Sequence, residues 1–225
     1  MGAIKTLRYP KKSHRKKVTI PKRSKALAEF HGIMLGDGGI GNPWQATITL
    51  NATKDREYAR YIQKLVSDLF ALAPVIIKSK DRDALRILIN STTTVDFLVS
   101  SGLSRGNKLA KGLRIPKWIL AKPSYRLACV RGLVDTDGCI FIHKHVVAKK
   151  LYRNIGLTFS SRSPELIFQV AAILGEFKIV PHITMRGTDI YLYQADAVAR
   201  YLEIFGSSNT RITSVYEQWR GDRAA

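Results

Sequence analysis

Residues 30–38 read Phe30-His31-Gly32-Ile33-Met34-Leu35-Gly36-Asp37-Gly38, and the pattern returns 100 residues later as Val130-Arg131-Gly132-Leu133-Val134-Asp135-Thr136-Asp137-Gly138. Each block predicts the last turns of an apolar helix that stops at Asp-Gly, because Gly commonly ends helices. An isoleucine follows each block, at Ile40 and Ile140. The chain is therefore predicted to contain two copies of one unit.

Blocks farther along the chain support this duplication. Residues 48–51 correspond to 157–160, and residues 106–109 correspond to 209–212. Residues 45–51 alternate polar and apolar side chains, which predicts a strand with one buried face. Thr53 is the predicted N-cap of the next helix, and Ser163 with Pro164 begins its counterpart. Helices are predicted over 25–36, 55–70, 92–101, 124–136, 164–177 and 195–204, and a second strand pair over 75–80 with 85–90 and over 182–186 with 189–193.

The predicted fold class is α+β. Two pseudo-symmetric αββαββα repeats are expected to form a saddle of antiparallel sheets around two central packed helices. The first repeat is placed at 25–120 and the second at 121–225. Residues 1–24 form a basic N-terminal arm, since residues 1–25 hold ten Lys or Arg and no acid. Such a run is typical of a flexible, solvated tail, and also of an arm that binds the phosphates of DNA. A nuclear-localisation signal is a further interpretation.

Composition indicates a polyanionic partner. The 225 residues include 37 Lys and Arg against 17 Asp and Glu, a formal charge of +20, and so basic a protein repels itself unless it binds a polyanion. An apolar content of 45% excludes a disordered chain. No apolar run approaches the roughly 18 residues of a membrane span, and no secretory signal is evident. Two cysteines without metal-site spacing disfavour zinc and suit a cytoplasmic or organellar location.

The two Asp-Gly helix ends predict a metal centre. An acid at a helix C-terminus is unfavourable because the helix end is already partly negative. If small residues (Gly32, Gly36, Gly132 and Thr136) let the two helices pack closely, Asp37 and Asp137 repel each other unless cations are present. Oxygen-only ligation suits Mg²⁺. In so basic a protein this favours phosphodiester hydrolysis, although Asp-Gly could also serve only to end each helix.

The two blocks resemble the signature of the LAGLIDADG homing endonucleases in their single-chain, two-repeat form, over about residues 25–215. The resemblance implies that Asp37 and Asp137 bind the metal together with the carbonyls of Gly36 and Thr136. It also implies that Lys108 and Arg211 line the active site, and that Asn51 and Ser160 help to order water there. The sixth motif position is usually acidic: Asp135 conforms, whereas Leu35 departs, which we interpret as a change in helix packing or capping.

The polar sheet faces are expected to lie in the major groove of DNA. Arg86 and Arg186 are the candidates for guanine, Gln45 or Asn90 for adenine, and Lys78 and Lys80 for phosphate. A metal bound by His143 and His145 is disfavoured because no third ligand is in view. The predicted DNA contacts are Gln45, Thr47, Thr49, Lys78, Lys80, Arg86 and Asn90 in the first repeat, and His143, His145, Asn154, Thr158, Arg186, Tyr191 and Tyr193 in the second.

The resemblance implies a monomeric hydrolase that makes a double-strand break in a long, partly palindromic DNA target, as an intron-encoded nuclease does. Mg²⁺ is the expected cofactor; Mn²⁺ or Ca²⁺ would occupy the same sites, with Ca²⁺ binding without supporting cleavage. The alternatives are an RNA maturase or a DNA-binding protein that does not cleave. A ribosome-associated protein leaves the paired aspartates unexplained, and no flanking segments suggest an intein.

Overall fold

The structure is a computed structural model that describes residues 17–224, with side chains described as far as residue 222. The first repeat contains α1 (Lys25–Leu35), β1 (Gly38–Asn42), β2 (Gln45–Asn51), α2 (Arg56–Phe70), β3 (Val75–Lys78), β4 (Ala84–Asn90) and α3 (Thr92–Ser100). A short helix, α4 (Lys117–Leu120), follows. The second repeat contains α5 (Pro123–Asp137), β5 (Gly138–Val147), β6 (Lys150–Ser160), α6 (Pro164–Glu176), β7 (His182–Ile183), β8 (Asp189–Leu192) and α7 (Ala195–Ile204), and α8 (Thr210–Ala224) ends the chain. The α+β class and the order αββαββα, twice, are confirmed.

Each repeat builds a four-stranded antiparallel sheet of the same topology. The strand orders are β1-β2-β4-β3 and β5-β6-β8-β7. In the first sheet Ala46, Ile48 and Leu50 are buried on the face covered by helices, while Thr49 is exposed on the other face. The alternation of residues 45–51 therefore sets the register as predicted, since side chains in a strand point to opposite faces in turn.

Helices α1 and α5 pack directly against each other through glycine. A Cβ atom on Gly32 would lie 2.1 Å from the carbonyl oxygen of Cys129, and one on Gly132 would lie 2.4 Å from that of Glu29. Both distances are far below a van der Waals contact, so each glycine admits the backbone of the opposite helix. The predicted close approach of the two motif helices is confirmed.

Residues 17–24 pack against the first repeat. The backbone N–H of Thr19 donates to Phe70 O at 2.8 Å, and Val18 and Ile20 contact the core. The Arg23 guanidinium lies 5.6 Å from the ring centre of Trp118. Residues 17–24 of the predicted basic arm therefore contact the first repeat, because Val18 and Ile20 bury apolar surface. The flexibility of the arm stays a prediction, and residues 1–16 lie outside the described residues.

Side-chain caps begin three of the described helices, α1, α3 and α6. Ser163 caps α6 as predicted, its hydroxyl accepting from Leu166 N at 3.3 Å. Helix α2 differs: Asp55, not Thr53, is its N-cap, since the Asn51 side chain accepts from the N–H groups of Thr53 and Lys54 at 3.0 and 2.7 Å.

Among residues 17–224, no helix has the length and apolar character needed to cross a bilayer.

Candidate active site

The carboxylates of Asp37 and Asp137 meet where the motif helices end. A Cβ atom on Gly36 would lie 3.0 Å from Asp137 Oδ2 and 2.1 Å from Thr136 Oγ1, so Asp137 covers the residue that precedes Asp37. Burial, and then repulsion by Asp137, raise the pKa of Asp37 to about 7. Burial raises the pKa of Asp137 to about 6, although Lys108 opposes the change. Two partly buried acids that repel each other resist ionisation together, so the site favours a compensating cation.

Lys108 lies at the same point and caps the end of α1. Its ammonium donates to the carbonyl oxygens of Leu35 at 2.6 Å and Gly38 at 2.9 Å, and also to that of Gly36. Burial lowers the pKa of Lys108, while Asp137 and Asp37 act in the opposite direction. A lysine at this helix C-terminus neutralises carbonyls that have no partner within the helix.

Arg211 occupies the matching place in the second repeat but is held differently. Its Nη1 and Nη2 atoms each lie 3.4 Å from the Gly138 carbonyl oxygen, and its Nε donates to Asp55 Oδ1 at 3.0 Å. The Asn209 side chain donates to the same oxygen at 3.1 Å. The structure thus brings Asp37, Asp137, Lys108 and Arg211 to one centre, with Asp55 as an acid that sequence reasoning missed.

A buried polar network joins the two repeats beneath this centre. Glu29 of α1 is 2% exposed and pairs with Arg131 of α5. Tyr61 and Ser208 each donate a hydroxyl hydrogen bond to Glu29 Oε1 at 2.7 Å. Glu29 is the other acid that sequence reasoning missed; a single acid inside an otherwise apolar helical stretch was the available signal.

Asp135 explains part of the asymmetry between the motifs. Its carboxylate accepts from the Ser207 hydroxyl at 2.5 Å and from Ser208 N at 2.8 Å, which fixes the loop before α8. Burial raises its pKa to about 7. Leu35, at the equivalent position, is instead buried in the core at 4% exposure.

The two residues expected to order water are occupied by local contacts. Asn51 caps the turn before α2, as described above. The Ser160 hydroxyl donates to Asp189 Oδ1 at 2.6 Å, on the wall of a cavity of about 490 Å³ that Asp137 and Lys108 also line. Their roles toward water stay predictions.

The outer face of the first sheet carries five of the seven DNA contacts predicted in the first repeat. Cross-strand pairing places Thr49 opposite Arg86 and Gln45 opposite Asn90, and Gln45 Nε2 donates to Asn90 Oδ1 at 2.8 Å. Thr47 shares this face. Lys78 does not, because it pairs with Leu85, whose side chain points to the core. Ile77, one residue earlier, pairs with Arg86 and lies on the outer face, so the predicted position of Lys78 on that face was wrong. Lys80 lies beyond the end of β3.

The outer face of the second sheet is aromatic. Tyr191 and Tyr193 stack with centroids 5.3 Å apart. His145 stacks on His143 at 5.3 Å and on Tyr152 at 5.4 Å. The remaining predicted contacts divide between the sheet and its turns: Asn154 pairs with His143 and Thr158 with Tyr191, whereas Arg186 is exposed in the turn between β7 and β8.

Asp37 and Asp137 are the carboxylate donors that this site offers to a cation. Among residues 17–224 no group of three or more His, Cys, Asp or Glu side chains converges on a possible metal position. Two carboxylates with backbone carbonyls leave coordination positions for water and phosphate oxygens. Mg²⁺ characteristically accepts such an incomplete protein site.

Family comparison assigns a domain type to each half. Residues 124–219 match the model of the LAGLIDADG-like domain, and residues 27–112 match that of the WhiA LAGLIDADG-like domain. Each half of the chain therefore contains a LAGLIDADG-like domain. Comparison with curated protein sequences gives no significant match.

Solved structures share the whole two-repeat fold. The chain is similar to full-length DUF199/WhiA from Thermatoga maritima, with a TM-score of 0.56, 15% identity and coverage of 91% of this chain and 63% of that one. It thus spans less than two thirds of that protein. It is also similar to the I-LtrWI LAGLIDADG homing endonuclease bound to target DNA, with a TM-score of 0.61, 10% identity and coverage of 87% and 88%. A third similar structure is I-DmoI in complex with DNA and Mn, with a TM-score of 0.51, 15% identity and coverage of 82% and 97%.

Proposed function

We propose that this protein is a site-specific endonuclease that binds double-stranded DNA and cuts both strands with a divalent cation, Mg²⁺ being the expected one. The observation that carries the proposal is the meeting of Asp37 and Asp137 at the ends of two close-packed helices, beside Lys108 and Arg211. Structural likeness to DNA-bound homing endonucleases supports the same substrate.

The acidic and basic residues of the site would have different roles. Asp37 and Asp137, with the carbonyls of Gly36 and Thr136, would hold the cation, whose chemistry is to activate water and to stabilise the leaving oxygen. Arg211, at the Gly138 carbonyl and close enough to lower the pKa of Asp37, would offer a positive charge to a phosphate. The sheet faces would position the duplex, with Arg86, Gln45 and Asn90 directed to base edges.

Binding of DNA without cleavage is the second candidate, and Lys108 favours it. Its ammonium already bonds to the carbonyl of Gly36, one of the expected metal ligands, and so neutralises the helix end without a metal. The match of residues 27–112 to the WhiA domain type is consistent with this reading.

Cleavage of a randomised duplex library with Mg²⁺, followed by sequencing of the cut ends, distinguishes the two candidates. We expect a long, partly symmetric consensus with a fixed stagger for the wild type and no cut ends for Asp37→Asn or Asp137→Asn. Both variants should still bind the selected duplex. Burial disfavours the charged form of each aspartate, so both variants should be at least as stable as the wild type at pH 8. A loss of cleavage would therefore reflect the chemistry of the active site and not a loss of folding.

Asp68→Asn is the matched control, because Asp68 forms an exposed ion pair with Lys64 on α2. The Asp68→Asn variant should cut DNA normally. Salt-sensitive binding without cut ends by the wild type would establish the second candidate. Normal cutting by Asp137→Asn would refute the assignment of the active site.

A further inference from the structure

Asp55 connects the start of α2 in the first repeat to the active-site arginine of the second. Its side chain is 12% exposed and the side chain of Arg211 is 25% exposed. Asp55 Oδ1 accepts from Arg211 Nε at 3.0 Å and from Asn209 Nδ2 at 3.1 Å, while Oδ2 accepts from Asn51 N at 3.3 Å. Both carboxylate oxygens are therefore engaged, and the side chain has one defined orientation.

The two active-site basic residues are held by unequal means. Within the described part of the chain, Lys108 donates to backbone carbonyls at the end of α1, in its own repeat. Arg211 depends on a carboxylate from the other repeat. Counting from Ser160 as the partner of Asn51, the counterpart of Asp55 is Pro164, which cannot perform this role.

We propose that Asp55 is a positioning residue that holds Arg211 in the active site, so that one of the two half-sites depends on both repeats. The proposal rests on the proposed endonuclease function for its catalytic consequence. Arginine has five N–H donors; Nε is used by Asp55 and one donor on each terminal nitrogen faces Gly138 O. Two donors, one on each terminal nitrogen, are left for phosphate oxygens, in an orientation that the Asp55 bond sets.

Asp55→Asn tests this geometry with little change of shape. An amide offers one acceptor and one donor end, whereas Asp55 accepts at both oxygens. If the amide oxygen of the new side chain faces Arg211, the amide NH₂ group faces the N–H of Asn51. If the amide is flipped, the NH₂ group faces Arg211. Either way one contact becomes repulsive, and the charge that attracts the guanidinium is gone.

The position of Arg211 can be measured without DNA from the NMR signal of its Nε–H group, assigned by comparison with Arg211→Lys. We expect this proton to exchange slowly with water in the wild type and rapidly in Asp55→Asn. Glu57→Gln is the matched control. Glu57 is exposed, and its carboxylate accepts a hydrogen bond from Thr210 Oγ1 of the second repeat at 2.8 Å. It should leave the Arg211 signal unchanged.

Cleavage of a duplex labelled on each strand gives the second readout. Asp55→Asn should slow cleavage of one strand by about 10- to 100-fold, the cost of a group misplaced by roughly 1 Å, and leave the other strand near the wild-type rate. Combined with Arg211→Lys it should add no further loss.

An unchanged Nε–H signal in Asp55→Asn would overturn the proposal, as would equal slowing of both strands or additive losses. A wild type that binds DNA without cutting it would refute the endonuclease function instead. The NMR comparison would still decide whether Asp55 positions Arg211.

Discussion

Replacement of Gly32 by alanine should separate the two motif helices. Alanine is favoured over glycine inside a helix by about 1 kcal/mol, so an uncrowded site would become more stable. At Gly32 the new Cβ would lie 2.1 Å from Cys129 O, 3.0 Å from Cys129 C and 3.1 Å from Leu133 N. All three atoms are backbone, so no side-chain rotation relieves the overlap, and the helices must move apart by roughly 1 Å.

Overpacking of this kind costs about 3 kcal/mol or more, which leaves a net loss of about 2 kcal/mol after the helical gain. Urea denaturation followed by circular dichroism would measure it as a lower midpoint with an unchanged slope. Gly132→Ala should behave alike, since its Cβ would lie 2.4 Å from Glu29 O. DNA cleavage should also fall at temperatures where the variant is folded, because the displaced helices carry Asp37 and Asp137.

Gly175→Ala in α6 is the matched control, because nothing lies within 4 Å of its added Cβ. It should be as stable as the wild type or more stable by up to about 1 kcal/mol. A Gly32→Ala variant that matched this gain would refute the close packing of α1 against α5.

Three further predictions concern the buried charges and the basic surface. Burial lowers the pKa of His31 from 6.5 to about 4, so between these values the unfolded chain binds a proton that the folded chain does not; this group should remove about 2 kcal/mol of stability from pH 7.5 to pH 5. Unfolding curves of His31→Gln should lack that component, and identical pH profiles would contradict the assignment. Arg131→Ala leaves Glu29 buried without its cation and should cost about 3 kcal/mol in urea denaturation; a loss below that of an exposed pair such as Lys64–Asp68 would contradict it. DNA affinity, measured by titration, should fall about 1,000-fold between 50 and 200 mM salt if six phosphates are contacted, and a flat response would exclude a phosphate-dominated interface.

Repeated local patterns made the fold predictable from the sequence. The paired Asp-Gly helix ends, the strict alternation of residues 45–51 and the Ser163-Pro164 helix start each correspond to an observed element. Each of these signals depends only on neighbours in the chain. The same is true of Gly32 with Gly36 and of Gly132 with Thr136, because small residues four apart lie on one face of a helix.

The misses have physical causes. Residues 75–77 are three apolar residues in a row, so no alternation revealed that Lys78 shares a face with Leu85. Helix α8 has little apolar periodicity and is held by contacts such as Trp219 Nε1 donating to Arg153 O at 2.8 Å, across 66 residues. Asp55 and Glu29 each bond to partners in the other repeat, Arg211 and Arg131, and no local pattern identifies partners so distant in the chain.

The Glu29–Arg131 pair also bears on whether one repeat could replace the other. Duplicated units of this kind can in principle exist as separate identical subunits. In a symmetric dimer of the first repeat, each Glu29 would face His31, the counterpart of Arg131, and His31 already bonds to Leu27 O and the Ser101 hydroxyl. Two carboxylates would then be buried without a cation. The Glu29–Arg131 pair therefore requires one first repeat and one second repeat, and two copies of the first repeat could not replace the whole chain.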